Sequence, residues 1–244
     1  MSGIVNINAL KQMGCQLWWP GQTATSGTYD DDGNKRGFLI LPDGVTVTPT
    51  GAFTTQKMKD GRNIWVFNGS NNYITFGANN NLTYFGTNDF TLCAWVYSSV
   101  FNSATMRIFG ISDYLSANVW WSLGVGSNAG WGSNVINVAV TTGYSTYADI
   151  VAANVLTNNA WNHVVFVVRN GSPEMYCNGS RCTITKNTVS ANWSYNAVSS
   201  LYIGNSRSNI SELMNGNIKD AMIFKGRALT QDQIAAIMKE TYIY

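Results

Sequence analysis

Three glutamates, Glu174, Glu212 and Glu240, and a lone histidine, His163, bound what catalysis this chain can perform. Glycoside hydrolysis needs two carboxylates facing one substrate, one to protonate the leaving oxygen and one to attack or to activate water. On a strand, residues two apart share a face. No glutamate here has an acidic residue at that spacing. His163 lies in Trp161-Asn162-His163-Val164 without a nucleophile elbow or an oriented carboxylate, the partners a triad requires. Its reading is structural, at the start of a strand. The expectation is a protein with no catalytic residue.

Binding chemistry is better provided for. A sugar ring presents an apolar face and a rim of hydroxyls, so its site needs an exposed aromatic ring with amides beside it. Trp131, set between Gly130 and Gly132, is the best such ring, with Asn128 and Asn134 as the amides and Tyr144 and Tyr147 in a following loop. The competing reading makes the tryptophans anchors of the core or of an interface. Strand alternation must bury one of Trp120 and Trp121. The run Asp30-Asp31-Asp32-Gly33-Asn34 gathers oxygens of the kind calcium prefers but lacks the closing Glu of an EF-hand. Gly124-Val125-Gly126-Ser127-Asn128-Ala129 spells a dinucleotide-binding motif, yet Gly130-Trp131-Gly132 forbids the helix that motif must open. It is expected to be a loop after a strand.

The elements that must carry these residues are mostly strands. Hydrophobic residues make up 45% of the 244 positions and charged ones only 11%, with 29 Asn and a net charge of +2. Such a chain has a large core and no basic stripe for nucleic acid or an anionic membrane. Short β-rich runs alternate with Gly, Asn and Ser clusters. Ile64–Phe67 and Tyr73–Phe76 read as a hairpin around residues 68–72. Phe90-Thr91-Leu92-Cys93-Ala94-Trp95-Val96 puts Phe90, Leu92, Ala94 and Val96 on one face and Cys93 and Trp95 on the other, a strand buried on both sides. Met106–Ile111, Trp120–Val125, Val135–Val140 and the apolar run His163–Val168 continue the series, as do Leu201–Gly204 and Gly216–Phe224. One helix is marked by the capping box Thr230-Gln231-Asp232-Gln233, followed by Ile234, Ile237 and Met238 on one face.

Around Asn178-Gly179 a two-residue turn sets Cys177 opposite Ser180 and only diagonal to Cys182, so free thiols are expected. The start, Met-Ser-Gly-Ile-Val-Asn-Ile-Asn, lacks a basic segment followed by an apolar one. No secretory leader and no membrane insertion are expected, with synthesis in the cytoplasm and an unknown export route. Residues 1–16 are weakly patterned and read as an arm ahead of one domain over residues 17–244.

Three stretches together resemble the laminin G-like branch of the concanavalin A-like lectin and glucanase superfamily. They are Phe67–Ile74 with Asn88–Val96, then Trp161–Arg169 through Tyr176–Gly179, and Leu201–Gly204 followed by Asn215–Phe224 and Arg227–Thr230. Leu17-Trp18-Trp19 and Asp32-Gly33-Asn34 are similar to the family's opening strand and turn. The resemblance implies an all-β, two-sheet antiparallel jelly-roll sandwich closed by a short C-terminal helix. It also implies a structural calcium held by Asp220 and by an early loop, where Asp32 lies, although Lys219 takes the place of an acidic neighbour. Phage structural proteins include domains of this kind. The resulting expectation is a non-enzymatic structural or adhesion protein, as a decoration, fibre or tail component on a virion surface. Its partners are other protein subunits, copies of itself among them. The alternative is a soluble carbohydrate-binding lectin, and a glycosidase is disfavoured.

Overall fold

A computed structural model describes residues 7–21, 40–43, 45, 47–59, 61, 63–77, 80–83, 85–86, 88–112, 119–128, 130–142, 147–188, 200–205 and 212–242. The chain begins with helix α1 (Ile7–Gln12) and strands β1 (Cys15–Trp19), β2 (Val47–Thr50), β3 (Thr54–Lys57), β4 (Asn63–Asn68) and β5 (Tyr73–Phe76). After the single turn α2 (Asn80–Thr83) come β6 (Phe90–Ser98), β7 (Thr105–Ser112), β8 (Val119–Asn128), β9 (Gly132–Thr142) and β10 (Tyr147–Ala152). Then follow β11 (Ala160–Arg169), β12 (Ser172–Cys177), β13 (Ser180–Arg181), β14 (Lys186–Asn187), β15 (Ser200–Ile203), β16 (Asn215–Lys225) and helix α3 (Gln231–Thr241).

Among the described residues these strands form two antiparallel sheets of eight. The first runs β13-β12-β11-β6-β16-β4-β3, with β1 also paired to β16; the second runs β14-β10-β9-β8-β7-β15-β5-β2. Phe90, Leu92, Ala94 and Val96 of β6 enter the core between the sheets together with Phe166 of β11, Leu123 of β8 and Ile136 and Val138 of β9. Cys93 points the other way, into a second apolar cluster with Trp18, Val165, Val167, Met222, Ile234 and Ile237. That cluster lies between the first sheet and the two longer helices. The architecture is the expected all-β sandwich.

Local chemistry explains several elements. Asn178 and Gly179 both have positive φ, 50° and 79°, and Cys177 pairs with Ser180, the two-residue turn the sequence implies. All four cysteines are free thiols, and burial pushes Cys177 up to about 12. Thr230 accepts a hydrogen bond from the Gln233 backbone N–H while the Gln233 side chain accepts from the Thr230 N–H, completing the box that starts α3. Thr230→Ala should lower stability by about 1 kcal/mol in urea denaturation; an unchanged midpoint would mean that water replaces the cap at no cost.

Three expectations are corrected. β4 and β5 are not a hairpin: β4 pairs with β16 and β3, β5 with β15 and β2, so the chain changes sheets between them. Asn72 makes this crossing, its amide oxygen accepting from Asn68 N at 2.8 Å and its Nδ2 donating to Ala52 O and Val66 O. Residues 124–128 are not a loop but the second half of β8, paired with β9. A Cβ on Gly126 would overlap the Ala104 carbonyl, so glycine here permits close strand approach. Of residues 1–16, positions 7–16 do not form a free arm: they make α1 and the start of β1, with Leu10 and Cys15 buried in the second cluster. Residues 1–6 lie outside the described ones.

Candidate functional site

Cross-strand alternation sends Leu123, Val125, Ile136 and Val138 into the core, so Ser122, Gly124, Asn137 and Ala139 face outward from the second sheet. Arg107 of β7 lies opposite Gly124, which lies opposite Asn137 of β9, placing the three in one row. A bulge between Arg107 and Phe109 turns this part of β7. A Cβ on Gly124 would come within 2.7 Å of both Arg107 Nη1 and Asn137 Oδ1, so the missing side chain leaves those groups room above the strand. Ser122, Arg107 and Asn137 are 0–2% exposed. Arg107 Nη1, Ser122 Oγ and both amide atoms of Asn137 are buried without a hydrogen-bond partner. Leaving such groups unpaired costs about 1–3 kcal/mol each, so a cluster of them calls for an explanation.

Trp131 stands at the Arg107 end of this row. Arg107 Cζ stands 5.9 Å from its ring centroid, and its Nε1 donates to Asp149 Oδ2 at 3.2 Å. Asp149 in turn holds Lys186 at 2.8 Å. Glu212 receives Arg107 twice, at its carboxylate from Nε (2.9 Å) and at its main-chain carbonyl from the Arg107 N–H (3.0 Å). Its φ of 60° is one a glutamate rarely adopts. Among the described residues the four charged groups balance, two cations against two anions.

Of the expected glycan residues, Asn128 and Trp131 share the β8–β9 turn. Trp131 is half-buried, its ring already engaged by Arg107 and Asp149 rather than standing free. Asn128 holds the β8–β9 turn: its Oδ1 accepts from Gly130 N, and its carbonyl from Trp131 N, both at 2.9 Å. Asn134, with φ 51°, accepts from Val155 N and Leu156 N at its carbonyl, while its Oδ1 is buried and unpartnered. Tyr144 lies outside the described residues, as does the side chain of Tyr147, whose backbone pairs with Thr141. Sequence reasoning missed Arg107, Ser122, Asn137, Asp149, Lys186 and Glu212. The readable signal was Asn137, an amide inside the apolar run Val135–Val140.

Asp220 is the calcium ligand that the resemblance implies. It sits at the bulge of β16 with φ 49°, only 2% exposed, with Oδ1 accepting from Trp18 Nε1 at 3.0 Å and Oδ2 facing Lys219 Nζ at 3.4 Å. Its carboxylate is held by an ammonium and an indole, and no group of three or more acidic, Cys or His side chains that could hold a metal ion occurs among the described residues. Asp32 lies outside them. Lys219 Nζ also donates to Thr241 O at 2.8 Å and lies 5.1 Å and 5.3 Å from the Trp95 and Trp161 rings. His163, 5.0 Å from the Trp95 ring, is pulled down to about 3 by burial, aided by Lys219. The three glutamates are dispersed: Glu174 binds Arg169, Arg181 and Tyr176, Glu212 binds Arg107, and Glu240 is exposed on α3.

Residues 68–235 match the profile of the concanavalin A-like lectin/glucanases superfamily, in its laminin G-like branch. The chain belongs to that superfamily. No curated protein matches its sequence. Among solved structures it is similar to domain 4 of AbnA, a GH43 extracellular arabinanase from Geobacillus stearothermophilus solved with arabinotriose, at 21% identity and TM-score 0.60 over 92% of this chain and 98% of that one. It is also similar to a botulinum neurotoxin type C structure whose cell entry depends on two ganglioside molecules, at 15% identity and TM-score 0.64 over 97% of this chain and 53% of that one. The binding domain of Paraclostridial Mosquitocidal Protein 1 follows at 13% identity and TM-score 0.61, over 92% and 51%. The chain thus spans about half the length of the toxin chains it matches. At these identities the likeness establishes the fold and nothing finer.

Proposed function

We propose that the protein is a non-catalytic adhesion domain that binds a saccharide on the outer face of its second sheet. The carrying observation is the set of buried, unpartnered donors and acceptors on Arg107, Ser122 and Asn137, with the ring of Trp131 against Arg107. Convergent polar groups beside an aromatic ring are the parts that hydroxyls and an apolar sugar face need. Similar folds that meet arabinotriose or gangliosides support the reading. A glycan array should show binding by the wild type, weakened about tenfold or more by Trp131→Ala, the loss of one stacked ring. A folded wild type that binds nothing on a broad array would remove the proposal.

For the setting we propose a surface assembly, as a decoration, fibre or tail component of a phage virion packed against other subunits. The low charge and abundant amides, 11% charged residues and 29 Asn, support this. Antibody labelling of purified particles tests it, and unlabelled particles would count against it.

A further inference from the structure

We infer that the Arg107–Asn137 row takes a vicinal hydroxyl pair of a neutral sugar, not the carboxylate of an acidic one. The inference rests on the saccharide reading above and adds the charge class of the ligand. Charge balance decides it. Arg107 is already paired with Glu212, and Lys186 with Asp149. A ligand carboxylate would add a third anion beside the two described cations, next to Arg107, Ser122 and Asn137, which are 0–2% exposed and where an uncompensated charge is costly. A neutral diol meets no such cost.

The vacant valences fit a diol. Asn137 offers an acceptor at Oδ1 and a donor at Nδ2 on one planar group, and neighbouring hydroxyls can donate to the first and accept from the second. Arg107 Nη1 adds a second donor on the same side of Gly124, and Ser122 Oγ can do either. These atoms are out of contact with solvent, so the ligand must lift its cover. Trp131 lies against Arg107, and it is flanked by Gly130 and by Gly132, whose φ is +94°. On binding, the ring leaves the Arg107 guanidinium and packs on the sugar face. A trapped water bridging the same atoms is the rival account.

The two accounts differ in what happens when a polar group is removed. If the cluster is kept for a ligand, Ser122→Ala and Asn137→Leu relieve unpaired buried atoms, so each should raise Tm by about 2 °C. Each should also weaken saccharide binding about tenfold. If a water satisfies the cluster, the same substitutions lower Tm and leave binding unchanged, which would overturn the site; Ser122→Ala, the smaller change, decides this should Asn137→Leu fail to fold. Calorimetric titration of the full chain would use arabinotriose, xylotriose, maltotriose and chitotriose as neutral probes, and trigalacturonate and sialyllactose as acidic ones. A neutral probe should bind about tenfold or more tightly than either acidic one, the cost of one unbalanced partly screened charge. Preference for an acidic probe would overturn the neutral assignment and leave saccharide recognition standing. No binding of either set by the folded wild type would overturn saccharide recognition itself.

Discussion

Asp220→Asn should destabilise the fold by about 3 kcal/mol or more, although the two side chains are almost the same shape. Asparagine tolerates the left-handed backbone at this position, where φ is 49°, and its amide oxygen can still accept from Trp18 Nε1. What leaves is the charge, together with the oxygen that accepts from Lys219 Nζ. Lys219, 1% exposed, would keep the Thr241 carbonyl and the faces of Trp95 and Trp161 but lose its counter-charge. Lys219→Met alone should cost a similar amount, since it strands the buried carboxylate instead. The double variant Lys219→Met/Asp220→Asn should recover most of the loss, because a neutral pair carries neither desolvation penalty. Urea denaturation of the wild type and the three variants measures the cycle. Single variants within about 1 kcal/mol of wild type would show that the pair is not held charged.

The elements legible in the sequence are those specified by contiguous residues. The two faces of β6, the turn at Asn178-Gly179 and the capping box of α3 depend on alternation, backbone conformation and local hydrogen bonds, and each appears where it was expected. The sheet change between β4 and β5 was not legible, because it depends on the bonds Asn72 makes to Ala52 and Val66 and on partners in β16 and β15. The candidate site was only half legible for the same reason. Trp131 stands out between two glycines, but Arg107, Asn137, Glu212 and Lys186 come from four separate stretches and meet only through strand register. Alternation alone could have placed Asn137 outward, yet nothing local says that its amide finds no partner there.

The two buried polar groups lie on opposite outer faces of the sandwich and are treated differently. Lys219 and Asp220 neutralise one another and tie the last turn of α3, through the Thr241 carbonyl, to the bulge of β16. Trp95 Nε1 completes that tie by donating to Thr241 Oγ1 at 2.7 Å. Every charge there has a partner, as a structural group requires. Around Arg107 the charges are balanced but the hydrogen bonds are not, and Glu212 holds a costly backbone angle to keep the guanidinium in place. Stability alone would favour apolar residues at Ser122 and Asn137, so their presence is what points to recognition on that face.

Acid should test the first of these groups through His163. Its folded pKa is lowered to about 3, by burial first and by Lys219 second, with Asp220 acting in the opposite direction. The unfolded chain titrates near ~6.5. Above that pH both states are neutral and stability does not depend on this group. As pH falls through ~6.5 toward 3, the unfolded state binds a proton that the folded state refuses, so stability drops with acidity. The loss should be about 1.4 kcal/mol between pH 7.5 and 5.5, growing by a similar amount for each further unit. Because His163 is the single histidine and carboxylates titrate lower, the upper part of this window belongs to it alone. His163→Phe retains a ring against Trp95 and introduces no group that titrates there, so its stability should be flat between pH 7.5 and 5.5. Urea midpoints of both proteins at pH 7.5, 6.5 and 5.5 provide the comparison. A wild type as flat as the variant would mean that the imidazole accepts a proton in place, with Asp220 rather than Lys219 governing it.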